Sequence, residues 1–255
     1  MKNLTLNENE IVVKKLSGFS LSDIYLIEKD NTLFIRKINE VDRNFKQLTI
    51  LHQQGYPVPK IYNISNQILD MEYIHGLDIK TYIKFNKLDN LINFIIEIID
   101  KMSETSQLVD YSDVYNLKLN EINYSQLPFT QKELFDKLPK LLPRSQYHGD
   151  LTLENIIYST VNKFYLIDAV SIEYDSWVFD IAKMRQDLQC KWFLRNENLF
   201  FDTQLDIIQT KILNKFPQAN NDYLLILMLL RVYKRSIPES KEHKFLLEEI
   251  KKLWK

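Results

Sequence analysis

Three polar residues stand at intervals that suit one kind of chemistry. Asp150 and Asn155 lie five positions apart in Tyr147-His148-Gly149-Asp150-Leu151-Thr152-Leu153-Glu154-Asn155, and Asp168 follows the apolar run Phe164-Tyr165-Leu166-Ile167. Moving a phosphoryl group from a nucleotide requires a carboxylate that orients the attacking hydroxyl and takes its proton, and two oxygen ligands that hold magnesium on the phosphates. Asp150 suits the first task, Asn155 and Asp168 the second. The short strand before Asp168 would carry its carboxylate to the edge of a cleft, and His148 reads as a core histidine bracing the loop.

The elements that must position these groups are legible in the periodicity. Two-residue alternation marks strands at Ile11–Val13, Asp23–Glu28 and Thr32–Ile38, with Lys29-Asp30-Asn31 as a hairpin connection. Helical spacing follows from Glu40 to Gln54, with Phe45, Leu48 and Leu51 on one face and a stop at Gly55. Short strands are expected at Lys60–Ile64 and Gln67–Tyr73. A junction falls near Ile74 to Gly76, and the chain beyond it to Pro143 reads as helical with polar breaks. Strand character returns at Ile156–Tyr158 and Phe164–Ile167, and three or four helices fill Val178–Lys255. Alternation puts Lys37 on the face of Leu33 and Ile35, opposite Arg36, so one cation points inward and Arg36 is left as a solvated strand charge.

The residues His148-Gly149-Asp150 through Asn155, with Ile167-Asp168 after them, resemble the aminoglycoside phosphotransferase and choline kinase superfamily. There HGD stands where protein kinases have HRD, and Asp168 stands at the DFG aspartate. The resemblance implies an α+β, bilobal, protein-kinase-like fold, with a small antiparallel β N-lobe plus one helix over residues 1–74 and a larger, mainly helical C-lobe over 75–255. It also implies ATP or GTP with Mg2+ as cofactors and a small-molecule hydroxyl as acceptor.

Within it, Lys37 takes the place of the nucleotide-phosphate lysine, and the turn holding Gly18 and Ser20 would cover phosphate oxygens. Met71 becomes the gatekeeper, with the Glu72 carbonyl and the Ile74 amide reading adenine. Asp180 matches an acid that braces the catalytic loop. The helix after the third strand departs from the pattern, because no acid lies in its body: either Glu40 or Asp42 serves early, or Gln47 is a neutral partner for Lys37. About a dozen residues separate Asp168 from Asp180, which leaves no room for a long activation loop and favours a small-molecule acceptor over protein signalling.

Composition narrows the classes. The 33 basic and 34 acidic residues of the 255 nearly cancel, so no global positive field points to nucleic acid or an anionic membrane. One cysteine, Cys190, excludes an internal disulfide and a thiolate zinc site, and the polar start from Met1 to Glu10 carries no secretory signal, which together suggest the cytoplasm. The longest apolar stretch, Leu91–Met102, is interrupted by Asn93, Glu97 and Asp100 and reads as a buried helix and not as a membrane span.

For the acceptor, Lys183, Arg185, Lys191 and Arg195, with Trp192 and Tyr174, suggest a basic, aromatic face for a phosphate or acidic sugar. The segments around Lys37, Met71 and Asp150 are also similar to phosphotransferases encoded with bacterial capsule and surface-polysaccharide genes, implying a sugar or polyol acceptor. A choline, ethanolamine or aminoglycoside kinase and a catalytically weak binding module are the alternatives.

Overall fold

The computed structural model describes residues 4–16 and 22–255. In chain order the elements are β1 (Glu10–Leu16), β2 (Asp23–Lys29), β3 (Thr32–Ile38), α1 (Asp42–Gln53), β4 (Ile61–Ser65), β5 (Ile68–Glu72), β6 (Gly76–Asp78), α2 (Ile79–Phe85), α3 (Leu88–Ser103), β7 (Gln107–Asp110), α4 (Ser112–Leu119), α5 (Gln131–Lys137), β8 (Leu141–Arg144), β9 (Ile156–Ser159), β10 (Phe164–Leu166), α6 (Trp177–Leu188), α7 (Asp202–Lys215), α8 (Asp222–Tyr233) and α9 (Lys241–Leu253). They form two compact units, residues 1–84 with 155–172, and residues 85–154 with 173–255. No helix of the described residues is long and apolar enough to cross a membrane.

The first unit is built on a five-stranded antiparallel sheet ordered β1-β2-β3-β5-β4. Asp30 and Asn31 connect β2 to β3 with φ of 48° and 61°, and Asn66 and Gln67 connect β4 to β5 with 48° and 68°. Two consecutive positive φ angles match the strand twist in a tight hairpin, and Asn and Asp tolerate them. α1 buries Leu48 and Leu51 and ends where the Gly55 N–H donates to His52 O at 3.0 Å.

A second small sheet, β10-β9-β6, belongs to the same unit, and Tyr82 of α2 packs its ring against Tyr158 and Phe164. This pairing draws residues 75–84 and 155–172 to the first unit, although the lobe division expected near Ile74 assigns them to the second. The reason is the β6–β9 register, which matches Gly76 with Ser159 and Asp78 with Ile157.

The second unit is mainly helical. Every residue of α6 is buried, and α8, apolar nearly all round, packs against it and is covered in turn by α9. Helices of this pattern belong at the centre of a core. α7 packs against α3 and α6.

The stretch up to Pro143 departs from its helical expectation, because β7 and β8 form a two-stranded antiparallel sheet from Gln107↔Arg144 to Asp110↔Leu141. The pairing joins segments some thirty residues apart, so local periodicity carries no sign of it, and Pro143 is tolerated because a two-stranded sheet leaves each strand one open edge.

Candidate active site

In the first unit β3 carries Arg36 and Lys37 to opposite faces, and the two meet different partners. Lys37, 3% exposed, donates from Nζ to Asp168 Oδ1 at 2.6 Å across 131 residues of sequence. The same oxygen accepts from Asn44 Nδ2 at 3.0 Å, and Asn44 also donates to Ala169 O at 2.8 Å. Asp168 has φ 57°, a left-handed conformation uncommon in side-chain-bearing residues and more often met in Asp and Asn. This kink follows β10. Just before it, the Ile167 N–H donates to Asn155 O at 2.9 Å, tying Asn155 to the strand end that carries Asp168.

A carboxylate and a carboxamide oxygen are the hard donors that magnesium prefers, and that ion usually takes the rest of its shell from phosphate and water. Among the described residues no group of three His, Cys, Asp or Glu could hold a metal ion unaided. The donor set of Asp168 and Asn155 therefore fits an ion shared with a phosphate ligand.

α1 supplies Asn44 to the Lys37–Asp168 pair. Gln47 is buried one turn further along. Asn44 lies in the first turn of α1, close enough to the chain reversal at Asp168 and Ala169 for its short side chain to reach both.

Arg36 corrects the expectation of a solvated charge. Its guanidinium is 3% exposed and forms a fork on Asp70, Nε to Oδ1 at 2.7 Å and Nη2 to Oδ2 at 2.8 Å. It also donates to Glu10 at 2.6 and 3.1 Å and to Thr5 O at 2.9 Å. Burial opposes the Glu10 charge, but bonds from Arg36 and Asn7 outweigh it and bring the carboxyl down to about 2. Alternation identifies opposite faces but not which of them another segment covers. Residues 5–10 cover the Arg36 face.

The other first-unit candidates are placed as follows. Met71 is buried in β5 between Ile35 of β3 and Ile61 of β4. Glu72 ends β5, its N–H donating to Lys60 O at 2.8 Å and its carboxylate accepting from the Lys60 N–H at 3.1 Å. Ile74 is buried, and its N–H donates to no group among the described residues. Gly18 and Ser20 lie outside the described residues.

In the second unit Asp150 sits in a loop held from behind by one face of α6. Asp180 accepts from the His148 N–H at 2.5 Å and the Gly149 N–H at 2.8 Å, Lys183 Nζ lies 3.2 Å from Asp150 Oδ1, and Asp187 accepts from the Leu153 N–H at 2.7 Å. Positions 180, 183 and 187 follow helical spacing, so a single stripe of polar side chains organises the loop. Gly149 has φ 86°, which only glycine adopts without strain. His148 is fully buried, and its Nδ1 accepts from the Asp150 N–H at 3.3 Å.

Burial opposes the charge on Asp150, yet Lys183 and Arg231 outweigh it and hold the carboxyl below the ordinary aspartate range. Asp180 goes the other way. Burial pushes it up to about 7 against the pull of the two amides. Burial and Glu154 likewise push Asp187 up to about 7, and burial lowers Lys183 against the attraction of Asp150.

The basic, aromatic face expected for the acceptor does not form. Lys183 is buried against Asp150, Arg185 is buried on Asp222 at 2.6 Å, Lys191 pairs with Asp202, and Arg195 reaches Glu154 at 3.4 Å. Tyr174 and Trp192 are buried against Phe179 and Phe245. Each cation has met a carboxylate from another segment, a neutralisation that sequence spacing does not reveal. Arg231, on α8 beside Asp150, is the cation that sequence reasoning missed, since nothing in the apolar run of α8 marks it.

No family model matches the sequence, and no curated protein matches it. Solved structures do. Aminoglycoside phosphotransferase APH(4)-Ia superposes with a TM-score of 0.66 at 10% identity, over 96% of this chain and 93% of that one. Choline kinase LicA from Streptococcus pneumoniae superposes with a TM-score of 0.60 at 18% identity, over 96% and 94%. The fold is kinase-like. A thermostable mutant of APH(4)-Ia, solved as a ternary complex with ADP and hygromycin B, matches with a TM-score of 0.65 at 9% identity, over 94% and 92%.

Proposed function

We propose that this chain is a small-molecule kinase that transfers the terminal phosphoryl group of ATP or GTP to a hydroxyl. The observation that carries the reading is the meeting of Lys37 and Asp168 at 2.6 Å, a cation and a carboxylate of the types that phosphoryl transfer needs on the nucleotide's phosphates. Lys37 neutralises phosphate oxygens. Asp168 and Asn155 would hold magnesium, which would shield the phosphate charge. The Glu72 carbonyl and Ile74 N–H take the edge of the base beside Met71, and Gly18 and Ser20 are the residues assigned to the phosphates on the resemblance alone. Binding of ADP and hygromycin B by APH(4)-Ia is in keeping with a nucleotide and a small acceptor here.

Asp150 receives the acceptor hydroxyl. As the hydroxyl oxygen bonds to the terminal phosphorus, the bond from phosphorus to the bridging oxygen breaks, the nucleoside diphosphate leaves, and the proton passes to Asp150. Its lowered pKa makes it a weak base, which suits a loose transition state in which the nucleophile needs orienting more than deprotonating. The acceptor we favour is a sugar or polyol unit of surface-polysaccharide synthesis in the cytoplasm, on the resemblance of the Lys37, Met71 and Asp150 segments.

The test is nucleotide consumption with magnesium and ATP or GTP against sugars, polyols, nucleotide-sugars, choline and aminoglycosides. Acceptor-dependent turnover that disappears in Asp150→Ala is the expected result. Absence of any nucleotide binding would overturn the proposal.

A further inference from the structure

Arg231 is the cation near Asp150 that makes no hydrogen bond to a carboxylate among the described residues. Its Nη2 donates to Gly149 O at 3.0 Å and its Nη1 to the Met228 thioether at 3.4 Å, a weak acceptor. Asp150 Oδ1, at 4.0 Å, is the one carboxylate oxygen within that range among the described residues, and it already pairs with Lys183 at 3.2 Å. The nearby lysines differ: Lys118 is bonded to Glu173 at 3.0 Å and Lys234 to Glu121. Asp150 therefore pairs most closely with Lys183, the buried Asp180 is the other acid whose charge Arg231 favours, and the partly exposed Arg231 guanidinium makes no hydrogen bond to a carboxylate among the described residues.

Tyr174 supplies a second, independent observation. The residue is 3% exposed, and its hydroxyl has no hydrogen-bond partner among the described residues. Burial raises its pKa, so it keeps its proton and can donate. A buried hydroxyl without a partner destabilises the fold, and an acceptor atom would offset that cost. The Arg231 guanidinium lies 5.7 Å from the Tyr174 ring centroid, and both line one recess with Lys118, Lys234, Leu227 and Leu230. The recess offers about 20 Å³, room for one oxygen-sized group.

We propose that the acceptor carries an anionic group, a phosphate or carboxylate, near the hydroxyl that is phosphorylated, and that Arg231 and the Tyr174 hydroxyl hold it. One oxygen of the anion enters the recess and accepts from Tyr174, while the guanidinium pairs with the others outside. A quaternary ammonium or aminoglycoside would instead bring like charge to Arg231. The anion takes no part in bond making; it fixes the hydroxyl at Asp150. This rests on the kinase reading and names the acceptor's chemical class.

Matched acceptors test it: glycerol against glycerol 3-phosphate, ribitol against ribitol 5-phosphate, glucose against glucose 1-phosphate and glucuronate, with choline as the cationic control. The wild type should prefer the anionic member of a pair. Arg231→Met should raise KM for that member by roughly 10–100-fold relative to its neutral partner, the worth of one charge-assisted hydrogen bond, while any loss through the Gly149 and Asp150 contacts falls equally on both members of the pair and cancels in the ratio. Tyr174→Phe, which keeps the ring and its packing, should raise the same KM several-fold.

Preference for a neutral or cationic acceptor overturns the proposal. So does an Arg231→Met effect falling equally on kcat for all acceptors, which would place Arg231 on the transferring phosphoryl group instead. If Arg231→Met fails to fold, Arg231→Lys and Tyr174→Phe give the same comparison. Should no acceptor turn over, calorimetric titration with glycerol 3-phosphate and inorganic phosphate decides: binding weakened by Tyr174→Phe supports the site, and unchanged or absent binding refutes it. Nucleotide binding, measured in parallel, reports separately on the kinase reading.

Discussion

Replacing Asp180 by asparagine removes a charge and keeps the shape of the side chain. In the native loop its two oxygens accept from the His148 and Gly149 amides at 2.5 and 2.8 Å. An amide keeps one oxygen and turns an NH2 group towards the other N–H, so one buried backbone donor loses its acceptor, at a cost of about 1–3 kcal/mol. A domain stable by about 5–15 kcal/mol survives this and unfolds at lower urea.

The pH dependence is sharper. Asp180 titrates near 7 in the folded chain against an ordinary 3.8, so between about pH 4 and 7 the native state holds a proton that the unfolded state has released. Its contribution to stability is complete below pH 4 and is lost as pH rises to 7, with a slope of up to about 1.4 kcal/mol per pH unit. The substituted side chain has no such proton. The stability advantage of the wild type over Asp180→Asn should therefore fall from pH 4 to 7 by up to about 4 kcal/mol, enough to reverse its sign, in urea titrations followed by far-ultraviolet circular dichroism. Asp187, also raised to about 7, slopes the same way in both proteins and cancels in the difference. An advantage that instead grows between pH 3 and 5 and stays flat above would mean that the two amides outweigh burial, and would refute the reasoning.

Arg36→Met should cost roughly 3–5 kcal/mol, because it strands Glu10 and Asp70 as buried, unpaired carboxylates. Adding Glu10→Gln and Asp70→Asn to that variant should restore much of the loss in urea denaturation, and no recovery would show that the guanidinium acts through packing alone. Gly76→Ala should lower the urea midpoint by the equivalent of about 1–3 kcal/mol, since a Cβ there would lie 2.2 Å from Tyr158 O and force β6 away from β9. An unchanged midpoint would mean that the strand pair shifts without cost.

Where residues act through their neighbours in the chain, the sequence was a sufficient guide. The strands of the first sheet, the Asp30-Asn31 hairpin, α1 and the buried α3 follow from short-range alternation, helical spacing and turn chemistry, which operate over a few residues. The resemblance already implied that Asp180 braces the catalytic loop, as it does, whereas the parts that Lys183 and Asp187 of the same face of α6 play in holding the 148–153 loop were not readable. The β7–β8 pair escaped notice because its strands are bracketed by helical sequence and meet only after a long detour.

By itself the sequence determined the kinase-like fold and the types and spacing of Asp150, Asn155 and Asp168, because backbone propensity and motif spacing are properties of contiguous residues. Tertiary structure alone decided which charges remain available. It buried Arg36 between two acids, turned Lys183 onto Asp150, and neutralised Arg185, Lys191 and Arg195 one by one. It also gave Asn44 the place at Asp168 that sequence spacing assigns to no residue, and left Arg231 without a hydrogen-bonded carboxylate. Electrostatic compensation depends on distances of a few ångströms between segments tens of residues apart, and only folding sets those distances.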